Sequence, residues 1–175
     1  MTEVSGKNEK LKVHLSLGSN IGDREEHLAS AVRLLKMFPD TEVVAISDLY
    51  LSDPVGENLN GYFLNVVACI ETELKLYEIH KGLLEIEEIL GKSKSAENGD
   101  RTIDIDIIFA GDFKGTYNDL EIPHPGYSKR DFVLLPLCEL EATLSKKQRT
   151  DVRGYLEREK EPDAPLCLRY KKMVY

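Results

Sequence analysis

Arg101-Thr-Ile-Asp-Ile-Asp-Ile-Ile-Phe109 alternates polar and apolar side chains from Thr102 to Ile107, the period of a strand half-buried in a sheet. Thr102, Asp104 and Asp106 leave one face of such a strand, while Ile103, Ile105 and Ile107 leave the other and enter a core. Upstream lies a polar, lysine-bearing loop from Lys92 to Asp100. Before it, Leu76, Ile79, Leu83, Ile86 and Leu90 recur at helical spacing, and Gly91 ends that helix. The run Tyr62 to Ile70 reads as an apolar strand, preceded by the turn-rich stretch Ser52-Asp-Pro-Val-Gly56 through Asn60-Gly61. Val43 to Tyr50 reads as another strand. A helix from about Arg24 puts Leu28, Ala31, Leu35 and Phe38 on one stripe, with Asp23 or Asn20 as its cap and Pro39-Asp40 after it. The first strand, Leu11 to Leu17, stops at Gly18-Ser19-Asn20. Strand, helix, strand, strand, helix, strand is the ferredoxin-like βαββαβ order: an α+β domain whose antiparallel sheet carries helices on one face. The alternating stretch supplies its last core strand.

Downstream of Asp112 the pattern weakens. The loop Ile122-Pro-His-Pro125, a short helix around Phe132 to Glu139 and a charged tail from Ser145 are recognisable. One domain is expected over 1–175, with its core at about 11–141 and 142–175 an unassigned C-terminal extension. The 175 residues are 42% hydrophobic and 31% charged, with no tryptophan, an ordinary composition for a chain that buries a core. A net charge of -8 suits a nucleic-acid backbone poorly, so no nucleic-acid partner is expected. No apolar run reaches membrane-span length, and Met1 to Lys10 lacks the hydrophobic stretch of a signal peptide. Cys69, Cys138 and Cys167 are odd in number and set among apolar residues, as in a reducing compartment. A cytoplasmic protein without an obligate protein partner fits all of this.

Same-face residues on a strand lie roughly 7 Å apart. Two carboxylates at that spacing can share hard cations, and magnesium takes one or two carboxylates and fills its remaining positions with water and phosphate oxygens. Alone, D-x-D is more often the solvent face of an edge strand. Its neighbours are cationic: Arg101 in the same run, Lys92 and Lys94 before it, Lys129-Arg130 after His124. Carboxylates among cations suit a polyphosphate. His124, held between two prolines, is a candidate phosphate contact. Asn65 interrupts an apolar strand: its amide is either satisfied by backbone, the usual outcome, or offers a heterocycle a donor beside an acceptor, with Phe63 and Phe132 as an aromatic slot. Gly18-Ser19-Asn20 could bind an anion or simply turn the chain into the helix. Gly91-Lys-Ser93 only mimics a P-loop, because Ile86 stands where that motif needs glycine.

Taken together, Leu17-Gly-Ser-Asn20, Tyr62-Phe-Leu-Asn65, Gly99-Asp-Arg-Thr-Ile-Asp-Ile-Asp106, Ile122-Pro-His-Pro125 and Arg130-Asp-Phe-Val-Leu-Leu-Pro-Leu137 resemble the 6-hydroxymethyl-7,8-dihydropterin pyrophosphokinases of folate biosynthesis. The likeness runs from about Leu11 to Glu141, with each block in the family's order. It implies pyrophosphoryl transfer from ATP to the pterin's hydroxymethyl oxygen, with release of AMP. It assigns two magnesium ions to Asp104 and Asp106, and catalytic roles to Arg101, Lys92 and Lys94. Glu87, Ile107, His124 and Arg130 would contact ATP. Ser52, Pro54, Val55, Phe63, Asn65 and Phe132 would form the pterin pocket. Lys92 and Lys94 stand where some members carry arginine, and Asn98-Gly-Asp100 where members often have tryptophan-glycine-proline.

The loop from Lys92 to Asp100 is polar and flanked by glycines, so it is expected to close over ATP. Asp106 is also a candidate acceptor for the hydroxyl proton. Two other functions compete with this reading: a nucleotidyltransferase using the same carboxylates, and a non-catalytic ferredoxin-like binding module, for RNA as one example. The acidic charge and the lack of a basic-aromatic sheet face speak against the second.

Overall fold

The computed structural model describes residues 10–54, 61–91, 100–117, 120–158 and 164–175. β1 (Leu11–Ser19) runs through the middle of the main sheet. On one side it pairs with β4 (Phe63–Thr72), which sets Val13 against Ile70 and Leu17 against Val66. On the other it pairs with β5 (Asp104–Ala110). β2 (Thr41–Ile46) and β3 (Leu49–Ser52) follow one another along the far edge of β4. Every pairing is antiparallel, and the order β5-β1-β4-β2/β3 is the expected ferredoxin-like one.

α1 (Arg24–Leu35) is capped by Asp23, whose carboxylate accepts the Glu26 N–H at 3.1 Å. Asn20, the other candidate cap, is used elsewhere. Glu25 and Glu26 in its first turn and Arg33 in its last complement the helix dipole. α2 (Leu76–Ile89) ends at Gly91, which takes the left-handed conformation with φ 81°. Both helices cover one face, where Leu15, Leu17, Leu28, Val32, Val66, Ile79, Ile105 and Ile107 form the first core.

Three expectations need correction. Val43 to Tyr50 is two strands rather than one. Ser47 breaks it: its N–H donates to Val67 O at 2.9 Å and its hydroxyl oxygen accepts Val67 N–H at 3.0 Å. The side chain thereby replaces a regular ladder bond. β5 starts at Asp104 rather than Thr102, because the backbone of Arg101 is held by Asn20 before the ladder begins: Asn20 N–H donates to Arg101 O at 3.2 Å and Arg101 N–H to Asn20 Oδ1 at 2.8 Å.

The helices are not confined to one face. α3 (Asp131–Glu139) and α4 (Lys146–Leu156) cover the other, where Val67, Cys69, Ile108, Phe109, Val133, Leu134 and Leu137 form a second core. The stretch beyond residue 141 is therefore structured. Besides α4 it supplies β8 (Cys167–Lys171), which pairs with β3 as a new edge strand. β6 (Gly115–Tyr117) and β7 (Leu120–Ile122) form a separate hairpin.

The β1–β5 ladder contains a bulge. Leu15 faces Ile107, His14 faces Phe109, and Ile108 is the extra residue. Ile105 and Ile107 enter the first core while Ile108 and Phe109 enter the second. Cys69 and Cys138 line or flank that second core and, with Cys167, form no disulfide. Burial pushes the Cys69 thiol up to about 11, so it behaves as a small apolar group.

Candidate active site

Sheet register brings the candidate residues together. Asp104 on β5 lies opposite Gly18 on β1, Gly18 opposite Asn65 on β4, and Asn65 opposite Tyr50 on β3. One row along, Asp106 lies opposite Ser16. The residues of these rows share the sheet face that carries the second core. Beyond the end of α3 that face opens into a cavity of about 300 Å³. Its floor includes Ser16, Gly18, Asn65, Asp104 and Asp106, and its walls include Ser52, Asp53, Phe63, Arg101, His124, Arg130 and Phe132.

Gly18 keeps the floor open. A Cβ there would come within 3.2 Å of Asn65 Oδ1 and 3.9 Å of Phe63 Cδ1. Asn65 is buried, and its Nδ2 donates to Ser52 Oγ at 3.0 Å and to Tyr50 O at 3.4 Å. Its donor is thus bound to β3, one of the two outcomes expected of a buried amide, and its oxygen is turned toward Gly18.

Cations surround the aspartates. Arg101 Nη1 donates to Asp104 Oδ2 at 2.6 Å. Asn20, which holds the Arg101 backbone, also donates from Nδ2 to Asp100 Oδ1 at 2.8 Å. Arg101 therefore enters the site from a fixed backbone position. On the opposite wall, Arg130 Nη1 and His124 Nε2 lie 3.6 and 3.7 Å from Asp106 Oδ2. The His124 loop is moored to β5, since His124 N–H donates to Ile108 O at 3.1 Å, and its Ile122–Pro123 peptide is cis. His124 Nδ1 accepts the Gly126 N–H at 3.1 Å. A neutral ring must then carry its proton on Nε2, the atom facing Asp106. Gly126 also makes room for Arg130: a Cβ at that position would lie 3.1 Å from Arg130 Nε.

A second cavity, about 370 Å³, lies along the outer edge of β5. His80, Leu83, Leu84 and Glu87 of α2 line one side, Leu120, Glu121 and Pro125 another, and Ile105 and Ile107 the base. It shares Asp104, Asp106 and His124 with the first cavity. The two spaces meet at the aspartates. Glu87 is buried, and its Oε1 accepts the Ile105 N–H at 2.7 Å, tying α2 to β5.

The structure thus assembles Arg101, Asp104, Asp106, His124 and Arg130 at one point. It places Ser52, Phe63, Asn65 and Phe132 in the first cavity, and Glu87 and Ile107 in the second. Pro54 is half-buried beside Asp53 and does not line either space. Lys92, Lys94 and Val55 lie outside the described residues, as does the proposed closing loop apart from Asp100. Among the described residues no cluster of three metal-binding side chains occurs. Two carboxylates still suffice for magnesium when phosphate and water complete its shell. Sequence reasoning overlooked Ser16, Asp53 and the floor role of Gly18. It also took Asn20 for a cap or anion site.

A family model described as 7,8-dihydro-6-hydroxymethylpterin-pyrophosphokinase matches residues 14–142. The Bacillus subtilis protein named 2-amino-4-hydroxy-6-hydroxymethyldihydropteridine pyrophosphokinase is 36% identical over 83% of this chain and 90% of its own length. A protein of the same name from Pseudomonas aeruginosa is 35% identical over 74% of this chain and 80% of its own length. Among solved structures, the HPPK-DHPS triple mutant of Plasmodium falciparum superposes with a TM-score of 0.69 at 16% identity, across 91% of this chain. This chain spans only 46% of that one, so the likeness concerns the shared fold.

Proposed function

The chain belongs to the 7,8-dihydro-6-hydroxymethylpterin-pyrophosphokinase family, and we propose that its two cavities receive the two substrates of that reaction, with Asp104 and Asp106 between them. The enzyme transfers the pyrophosphoryl group of ATP to 6-hydroxymethyl-7,8-dihydropterin in folate biosynthesis. The observation that carries the site assignment is the sharing of Asp104, Asp106 and His124 by two otherwise separate cavities.

In this reading the pterin enters the first cavity. Phe63 and Phe132 contact its ring faces and Asn65 Oδ1 accepts from its edge. Adenosine enters the second cavity, against Leu83, Leu84 and Ile107, and the triphosphate runs over the end of β5. The hydroxymethyl oxygen attacks the β-phosphorus, the bond from that phosphorus to the α-bridging oxygen breaks, and AMP leaves. The hydroxyl proton passes to Asp106 or to water.

The protein's contribution is position and charge. Arg101 and Arg130 offer their guanidinium forks to phosphate oxygens, and His124 offers the Nε2 proton that Gly126 fixes there. In this structure those cations face Asp104 and Asp106, so an entering polyphosphate would give them a new partner and leave the two carboxylates to hold a metal. Asp104 and Asp106 would hold magnesium, which would supply neutralisation of the triphosphate charge. Among the described residues no helix is long and apolar enough to cross a membrane, and the reduced cysteines suit the cytoplasm.

Incubating the chain with ATP, magnesium and the hydroxymethyl dihydropterin is expected to release AMP and the pyrophosphorylated pterin. Release of pyrophosphate with a nucleotide adduct would instead identify a nucleotidyltransferase. Asp104→Asn is expected to lower turnover at least about a hundredfold, and unchanged turnover would remove the metal role.

A further inference from the structure

β3 ends at Ser52, which pairs with Cys167 of β8. The next residue, Asp53, lines the first cavity. Its backbone N–H donates to Leu166 O at 2.9 Å, and Leu166 N–H donates back to Asp53 Oδ2 at 2.8 Å. Both main-chain polar groups of Leu166 are directed at Asp53, while the Leu166 side chain is exposed.

β8 has anchors of its own. Arg169 donates to Asp48 Oδ2 at 2.7 Å and lies 3.5 Å from Glu139. Glu139 in turn accepts the Tyr50 hydroxyl at 2.6 Å and the Asp48 N–H at 2.7 Å. Further on, Met173 is buried in the first core. Residue 166 is therefore held by the strand that follows it and is in a position to fix Asp53. From Asp53 the order continues through Ser52, whose Oγ accepts the Asn65 amide at 3.0 Å.

We propose that the C-terminal strand is a positioning element of the pterin site: the Asp53–Leu166 pair holds the Ser52 wall, and through it the orientation of the Asn65 amide. This rests on the assignment of the first cavity to the pterin. β8 lies beyond residue 142, where the family match ends, so the support comes from a part of the chain that the shared motifs do not include. A carboxylate that accepts a backbone N–H is held more firmly than one in water. Losing that bond frees a wall residue without touching the aspartates or the second cavity.

Leu166→Pro removes the N–H that reaches Asp53, and Leu166→Ala keeps it. In the full-length Leu166→Pro chain, KM for the hydroxymethyl dihydropterin is expected to rise about tenfold. Turnover and KM for ATP should stay within about twofold, and Leu166→Ala should match the unaltered chain throughout. An unchanged pterin KM, or equal rises in both KM values, overturns the proposal. If Leu166→Pro does not fold, amide exchange in the unaltered chain decides. Saturating dihydropterin should slow the Asp53 and Leu166 amides at least about threefold, and unaltered exchange overturns the proposal. Failure of the unaltered chain to release AMP overturns the functional reading as well. AMP release with an unmoved pterin KM in Leu166→Pro overturns this inference alone.

Discussion

Gly18 acts through the side chain it lacks. The floor of the first cavity passes from Asp104 through Gly18 to Asn65, and a methyl group on Gly18 would stand 3.2 Å from Asn65 Oδ1. That contact is too close to leave the amide where it is, so Gly18→Ala is expected to raise the pterin KM about tenfold and leave KM for ATP unchanged. Steady-state kinetics with each substrate varied in turn check it. The aspartates were legible because alternation along one strand is a local property. Gly18, Ser16 and Asp53 were not, because their roles depend on what faces them across the ladder, and register is a tertiary property. Asn20 shows the same limit: a capping residue type at a helix start was used instead to hold Arg101, eighty-odd positions away in the chain.

At the scale of elements, the clearest misreading concerned the second helical layer. The sequence does contain its signal. Ser145 and Gln148 stand at capping-box spacing, and each accepts the other's backbone N–H, at 3.4 Å for Ser145 Oγ and 2.8 Å for Gln148 Oε1. Gln148 Nε2 also donates to Gly111 O at 2.8 Å, fastening α4 to the end of β5. The charged run around this box masked it, since α4 buries only Val152 fully. Ser145→Ala is expected to cost about 1 kcal/mol of stability, measured by urea unfolding, with turnover unchanged. The split of the strand at Ser47 was illegible for a different reason. Good strand formers flank Ser47-Asp48 on both sides, and the hydroxyl bond to Val67 that replaces a ladder bond there depends on a strand distant in sequence.

Across the whole molecule, one sheet is held between two cores, and the second core encloses a titratable group. His14 is buried, its Nε2 lies 2.8 Å from Thr143 Oγ1, and its ring meets Phe109 edge-on at 5.8 Å. Burial first, and the Lys12 charge second, lower its pKa from 6.5 to about 4. A histidine held neutral in the fold binds its proton more tightly when unfolded, so stability is complete above about pH 6.5 and falls as pH drops toward 4. Its share of the loss by pH 4.5 is on the order of 2–3 kcal/mol. Urea unfolding of the native chain and His14→Gln, each at pH 7 and 4.5, should show the smaller pH dependence in the variant. Equal dependence in both would assign the effect to the carboxylates. The ferredoxin-like order was legible at this scale because helical and strand periods alternate clearly through Phe109. The two-sided packing was not, since a strand buried on both faces and one buried on a single face differ only in the character of their outward residues.

The extra residue in β5 carries a consequence for how this gene could lose function. Removing the single codon for Ile108 would leave Phe109 directly after Ile107, and the neighbours on either side would keep their faces. The strand would become straighter and more regular. What disappears is the one carbonyl to which the His124 backbone is tied. A scan of in-frame codon deletions along β5 should therefore recover a protein that still folds around its first core yet turns over poorly, a tidier sheet with an unmoored loop.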